Sequence, residues 1–306
     1  MSGCRVGIDL GGTKIEGVRL EGEARLVERI RVETPQGNYS ETVRTVAKLV
    51  DALCEGQPWP VGIGTPGVEQ RANGLMKNCN STCLNGQPLR ADLEQRIGRP
   101  VRMANDANCF ALAEAMAGAG QGAGLVFGII LGTGVGGGLV VNNKLVVGPS
   151  GLAGEWGHSP LPGFRFANTS SEEQQLADRA CYCGQINCIE TFLSGPGLAR
   201  TYAELHGGEL SPERIGQADD ARSRLVMELY FDWLARSLAA VVNVMDPDVI
   251  VAGGGLSNLA GLYEPVNARL PSAVFSGECV ARLVPPVGGD AVGAVGAAWL
   301  WPVHED

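Results

Sequence analysis

"RVGIDLGGTKIEGVRL", residues 5–20, sets two β-rich runs on either side of a Gly-Gly-Thr turn. Residues 5–10 and 15–20 therefore read as a β-hairpin closed by a glycine turn. Working outward, the same order of elements returns at residues 125–147, "LVFGIILGTGVGGGLVVNNKLVV": strand, glycine turn, strand, Asn-Asn turn, strand. A repeated hairpin, each copy opening an α/β stretch, points to two related lobes with a ligand between them. Two unrelated hairpins are the alternative.

The segments between fit an α/β chain. Ser40 is placed to cap a helix whose apolar positions Val43, Val46, Ala47, Val50 and Leu53 recur at helical spacing. "PVGIGTPG" (60–67) reads as a buried strand running into a Gly/Pro loop. "VRMANDANCFALAEAMAG" (101–118) reads as strand, polar loop and helix. Residues 159–180 are polar and read as an irregular excursion with little core. Residues 222–245 form a long amphipathic helix that Asp246-Pro247 stops. "VIVAGGGLS" (249–257) reads as a strand, a glycine loop and a helix start. "GAVGAAWLW" (293–301) reads as a small-residue helix that packs back on the first lobe.

Composition narrows the function. The 306 residues are 45% hydrophobic and 19% charged, with net charge -9 and a pI near 5.0. Gripping nucleic acid needs a basic face, so a nucleic-acid partner is not expected. Binding a nucleotide through backbone N–H groups remains open. No apolar run approaches twenty residues, so no membrane span is expected. The start of the sequence has no secretory signal pattern, which points to the cytoplasm. The nine cysteines then read as reduced thiols or metal ligands.

Three sets of residues carry chemistry. "DLGGTK" (9–14) and "LGTGVGGG" (131–138) put Gly-Thr in turns whose N–H groups and hydroxyl suit a phosphate. Asp9 could hold Mg²⁺ directly or through water. "AGGGLS" (252–257) adds a place for a nucleoside. "NDAN" (105–108) offers a carboxylate able to take a proton from an attacking hydroxyl. A helix cap at Asn105 or Asp106 is the competing reading. Third, Cys181, Cys183 and Cys188 with His158 upstream make a closed tetrahedral zinc set, which would be structural; unliganded buried thiols are the alternative. Glu155, three before His158, and Glu190, two after Cys188, would join an imidazole as partners for sugar hydroxyls, or else be solvated charges.

Together "GIDLGGTK", "GTPG", "ANDANC", "LGTGVGGG", "GEWGH", "CYCGQINCIE", "DPDVIVAGGGLSN" and "GAAWLW" resemble the ROK family of sugar kinases and sugar-sensing repressors, along essentially the whole chain. The resemblance implies an α/β, two-lobed actin/hexokinase-like ATPase fold, ribonuclease H-like, with a cleft between the lobes. It implies a small lobe over 1–117 joined by a C-terminal helix over 291–306, and a large lobe over 118–290 bearing the zinc insertion. It implies ATP, Mg²⁺ and structural Zn²⁺ as cofactors, a hexose as substrate and a homodimer. Asp106 would be the general base. Asn105, Glu155, His158 and Glu190 would bind sugar hydroxyls, with His158 using one ring nitrogen on zinc and the other on sugar. Asp9, Gly11, Gly12, Thr13, Lys14, Gly132, Thr133 and Gly134 would surround Mg²⁺ and phosphates, and Gly253, Gly254 and Gly255 the adenosine.

Two departures stand out. Asn187 replaces the glycine usual before the last zinc cysteine, and Asn tolerates left-handed backbone. The spacing from His158 to Cys181 is long, as in the fructokinase and N-acetylglucosamine kinase branches. "NCNSTCLNGQPLRADL" (78–93) resembles the fructokinase branch, so fructose is the expected substrate, phosphorylated on its 6-hydroxyl. Asn80 would reach the sugar, or else only shape a surface loop. Mannose or glucose are further substrates on this reading, and an N-acetylglucosamine kinase or glucokinase is the alternative. A sugar-responsive repressor would need a winged helix-turn-helix ahead of the first hairpin, which begins at residue 5. A catalytically dead sugar-binding protein is disfavoured by the intact Asp106.

Overall fold

The structure is a computed structural model describing residues 3–22, 24–166, 169–289 and 291–301. The chain runs through β1 (Arg5–Leu10), β2 (Lys14–Glu21), β3 (Arg25–Glu33), α1 (Tyr39–Cys54), β4 (Val61–Thr65), the short β5 (Val68–Glu69) and β6 (Met76–Lys77), α2 (Leu89–Ile97), β7 (Val101–Asn105) and α3 (Asp106–Ala117). Then follow β8 (Leu125–Leu131), β9 (Val135–Val141), β10 (Lys144–Val146), α4 (Ser171–Gln175), α5 (Glu190–Leu193), α6 (Gly195–His206), α7 (Pro212–Gln217), α8 (Ala221–Met245), β11 (Val249–Gly253), α9 (Tyr263–Ala273), β12 (Leu283–Val284) and α10 (Val292–Ala298).

Both expected hairpins form, and each opens a five-stranded sheet. The orders are β3-β2-β1-β4-β7 and β10-β9-β8-β11-β12. Each sheet thus lays its first three strands down in reverse and adds two later ones on the far side of the first. The added strands run parallel to their neighbours. A shared order of this kind decides for two related lobes over two unrelated hairpins, and it is the expected α/β actin/hexokinase-like fold.

Contacts divide the chain into one unit over 1–122, 138–153 and 287–306 and a second over 123–137 and 154–286. The sequence expectation assigned 138–153 to the second lobe. Those residues group with the first by contact, Gly138 lying against Ala107 and Ala111 of α3, while β9 and β10 still pair into the second sheet. Of the expected C-terminal helix, α10 covers Val292–Ala298, and residues 302–306 lie outside the described residues. Among the described residues, no helix is long and apolar enough to cross a membrane.

In the first unit, α1 buries Val43, Val46, Ala47, Val50 and Leu53 against the sheet, the face that the sequence periodicity marks. Its cap is Asn38, not Ser40. The Glu41 N–H donates to Asn38 Oδ1, and Ser40 already lies inside the first turn. The other side of the sheet receives α10 at backbone distance. A Cβ on Gly7 of β1 would lie 1.9 Å from the Ala294 carbonyl oxygen. One on Gly62 of β4 would lie 1.8 Å from the Ala297 oxygen, and one on Gly296 would lie 1.7 Å from the Cys109 oxygen of α3. Around this seam the Trp301 indole donates to the Val61 oxygen, and the Arg5 and Arg102 guanidinium groups stack on Trp299 and Trp301. The carboxylate of Glu114, fully buried on α3, accepts from the N–H groups of Ala119, Val287 and Gly288. It ties the approach to α10 onto the same helix.

The second unit is built on α8. Asp220 caps it by accepting from the N–H groups of Arg222 and Ser223. Its buried Trp233 donates to Glu173, which also accepts from Arg236 and the Arg165 N–H. The excursion over 159–180 is therefore less solvated than its composition suggests. Glu173 and Arg179 are both buried there, and Arg179 donates to Thr191, Gly197, Thr201 and Glu204. Buried charges persist because each is paired and hydrogen-bonded.

Gly62→Ala should destabilise the protein by about 2 kcal/mol or more, because the clash is with backbone that cannot rotate away. Gly289→Ala, which meets nothing within 4 Å, should stay within about 0.5 kcal/mol of the parent. Denaturant unfolding of both variants checks the pair; equal losses would contradict the seam.

Candidate active site and metal-ligand cluster

The expected site residues fall into two groups, one in each unit. In the first, register does the positioning. Asp9 pairs with Gly64 across β1 and β4, and Thr65 pairs with Asn105 across β4 and β7. The carboxyl ends of three parallel strands thus deliver Asp9, the 64–67 loop and the Asn105-Asp106 pair to one edge, where ligands of open α/β sheets bind. Asn105 is the cap of α3: its side chain accepts from the Asn108 N–H at 2.9 Å. The cap reading therefore holds for Asn105 and releases Asp106, the first helical residue, whose Oδ1 accepts the Ala107 N–H at 2.8 Å.

The electrostatics at this edge are acidic. Burial, then the Asp106 and Glu16 carboxylates, push Asp9 up to about 6, with Lys14 opposing. Asp106 keeps an open face but is crowded by protein elsewhere. Burial raises it above the ordinary carboxylate range, and the N–H of Ala107 partly offsets this. Glu16 is itself buried and held by Arg29 and Arg31.

The first glycine turn is closed by a bond from the Gly11 N–H to the Lys14 oxygen. Thr34, which the sequence reading passed over, braces it: its hydroxyl donates to the Gly11 oxygen at 2.7 Å and its N–H to the Thr13 oxygen. Asn80 lies on an exposed loop at the rim of a cavity. With Ser81 and Leu84 it lines a cavity of about 320 Å³ shared with Gly12, Thr13 and Pro35.

In the second unit three motifs converge at the ends of β8 and β11. The turn over 132–134 is closed by the Gly132 N–H on the Gly134 oxygen. Glu190 Oε2 accepts from the Val135 N–H at 2.9 Å, and a Cβ on Gly134 would fall 2.6 Å from that same oxygen. Gly254, at φ +84°, packs on the Leu131 backbone. Gly132–Gly134, Glu190 and Gly253–Gly255 are thus one neighbourhood, although the sequence separates them by about 120 positions.

His158 ends a short 3-10 turn (Trp156–His158) that Trp156 pins by donating its indole N–H to the Gly136 oxygen. Residues 158–161 then pair with 187–189: the Leu161 N–H donates to the Asn187 oxygen and the Ile189 N–H to the Ser159 oxygen. His158 Nδ1 lies 3.5 Å from Cys181 Sγ, and Cys183 Sγ lies 3.6 Å from Cys188 Sγ. All four donor atoms lie within 4.8 Å of one another. A tetrahedral ion with Zn–S bonds of about 2.3 Å has edges of about 3.8 Å, so this donor set fits zinc. Asn187 is at φ +56°, the left-handed backbone expected of it. Its side chain accepts from the Arg179 N–H and donates to Asp178.

Sequence reasoning missed Tyr182. It lies between two of the cysteines, and its hydroxyl is 3.0 Å from His158 Nε2. Burial of the hydroxyl end, then the nearby Glu190, Cys181 and Glu155 charges, push its phenol up to about 12. His158 therefore has a tyrosine hydroxyl on the ring nitrogen that does not face Cys181. A tyrosine inside a Cys-x-Cys motif was the available signal, masked by attention to the thiols.

Between the ordinary value of 3.8 and the raised value of about 6, folded Asp9 keeps a proton that the unfolded chain has released. Its contribution to stability therefore falls as pH rises through that window and stays unfavourable above it. Without divalent cations, Asp9→Asn should match the parent near pH 4 and be more stable above pH 6, by up to about 3 kcal/mol. Denaturant melts across this range check it; a difference independent of pH would contradict the burial argument.

A model of the ROK family matches residues 5–304. An N-acetyl-D-glucosamine kinase of Salmonella typhimurium is 40% identical, over 96% of this chain and 98% of its own. Among solved structures, the ROK hexokinase of Thermus thermophilus superposes with a TM-score of 0.84 at 29% identity, over 97% of both chains. A ROK family glucokinase of Streptomyces griseus, solved with glucose and AMPPNP, gives 0.74 at 28% identity, over 97% of this chain and 98% of its own. With a family match running almost from end to end, on the fold and motifs just described, this chain belongs to the ROK family.

Proposed function

We propose that the protein is an ATP-dependent sugar kinase that phosphorylates the 6-hydroxyl of N-acetyl-D-glucosamine. The observation that carries the kinase reading is Asp106: a carboxylate at a helix start, on the strand-end edge it shares with Asp9, whose burial raises its pKa. The 40% identity to an N-acetyl-D-glucosamine kinase over nearly the whole chain supports the sugar. Fructose is the second reading, supported by the 78–88 stretch, "NCNSTCLNGQP", and by Asn80 on the cavity beside Gly12 and Thr13.

On this reading the 6-hydroxyl oxygen attacks the γ-phosphorus in line, its proton passes to Asp106, and the bond to the ADP oxygen breaks. The Gly11 and Gly132 N–H groups close the two turns, which leaves the backbone N–H groups of Gly12 and Thr13 and of Thr133 and Gly134 to hold phosphate oxygens, with Lys14 nearby. Gly253, Gly254 and Gly255 border the adenosine. Asp9 would hold Mg²⁺, directly or through water, and the ion would neutralise phosphate charge. Asn80, Asn105, Glu155, His158 and Glu190 bind sugar hydroxyls. Glu190 already gives one oxygen to the Val135 N–H, which leaves its other oxygen to accept from the sugar. His158, Cys181, Cys183 and Cys188 would hold a structural Zn²⁺ that does no chemistry and fixes the His158 ring.

Turnover of ATP with N-acetylglucosamine, glucose, fructose and mannose tests the reading. N-acetylglucosamine should give the highest kcat/KM. Fructose at the top would favour the second reading, and no turnover with any of the four would overturn both. Asp106→Asn should lower kcat by about 10²-fold or more while sugar still binds; a rate near that of the parent would remove Asp106 as the base.

Elemental analysis should find one zinc per chain. Cys183→Ser should lose the metal and weaken sugar binding together. A metal-free parent, or a zinc-free variant with unchanged sugar affinity, would separate the cluster from the sugar site.

A further inference from the structure

An imidazole that uses Nδ1 within a metal-ligand cluster has one nitrogen left for anything else. In His158 that nitrogen, Nε2, faces the Tyr182 hydroxyl at 3.0 Å, while Nδ1 faces Cys181 Sγ. The two rings meet edge to face, with centroids 5.1 Å apart. A hydroxyl hydrogen-bonded to that imidazole nitrogen takes the place a sugar hydroxyl would occupy.

We propose that Tyr182 is a placeholder for the substrate: its hydroxyl occupies the His158 nitrogen that a sugar hydroxyl takes over, and the exchange sets how tightly the sugar is held. This rests on the reading above, in which His158 faces the sugar.

Tyr182 is built to give way. Its side chain is 73% exposed, and among the described residues its hydroxyl has no hydrogen-bond partner other than His158. Its backbone is held independently of its ring. The Cys181 N–H donates to the Gln185 oxygen and the Gly184 N–H to the Cys181 oxygen, closing a tight turn on both sides of it. The ring can therefore swing into water by side-chain rotation alone, on the fast timescale of exposed rotamers, while the cysteines stay in place. The exchange swaps one O–H···N bond for another, so the net cost of displacing Tyr182 is the difference between its bond and the water that would otherwise solvate Nε2.

Removing the hydroxyl should remove that cost. In calorimetric titrations of the metal-loaded protein with N-acetylglucosamine, Tyr182→Phe should lower Kd by about two- to tenfold. The gain should appear in KM and not in kcat. Metal content and melting temperature, measured on the same samples, report the integrity of the loop. A second measurement needs no folded variant: in the ¹⁵N spectrum of the parent, sugar should shift the His158 Nε2 resonance as its partner changes. An unchanged Kd in Tyr182→Phe, a weaker one, or an Nε2 resonance indifferent to sugar would overturn the placeholder role. If no sugar binds the parent at all, the functional reading fails instead.

Discussion

The contact on which the first unit depends is backbone against backbone. α10 reaches β1, β4 and α3 so closely that Gly7, Gly62 and Gly296 leave no room for a methyl group. The same approach sets the chemistry at the strand ends. Gly293 of α10 lies against the Asp9 carboxylate, and the Cys109 carbonyl that Gly296 touches is one turn into the helix that starts at Asp106. The two carboxylates are thus held by a helix of small residues from the far end of the chain. Interiors pack at near-crystalline density and transmit displacements of this size.

Crowding also explains the acidity of that edge. Asp9, Asp106 and buried Glu16 sit in one neighbourhood, and among the described residues only Glu16 of the three is paired with arginines. An arrangement that keeps carboxylates unpaired costs stability, and such costs concentrate where charge is used. A bound cation and a proton-accepting base are the two uses that this geometry supports.

In the second unit a single carboxylate joins two motifs. Glu190 receives the Val135 N–H, so the glycine turn after β8 and the loop that closes the cysteine cluster share one hydrogen bond. The cluster is held both by its own turn and by the core beneath it. Asn187 turns the chain before Cys188, and buried Arg179 ties the loop to α6 through Gly197, Thr201 and Glu204.

The sequence by itself determined the repeated hairpins, the buried face of α1, the extent of α8, the left-handed Asn187 and which three cysteines and one histidine come together. Each depends on residues near in sequence, on a period or on a fixed spacing, where local backbone preference and patterning decide the outcome. Only the tertiary structure decided that 138–153 joins the first unit, that Glu173 and Arg179 are buried inside a polar stretch, and that Asn105 caps while Asp106 is released. It alone showed that Thr34 braces the first turn, that α10 meets the sheet at van der Waals limit, and that Tyr182 reaches back to His158. The reason is physical. These outcomes depend on partners that are mostly tens to hundreds of residues away, whose approach is set by packing and by pairing of buried charge, and neither leaves a periodic mark on the local sequence.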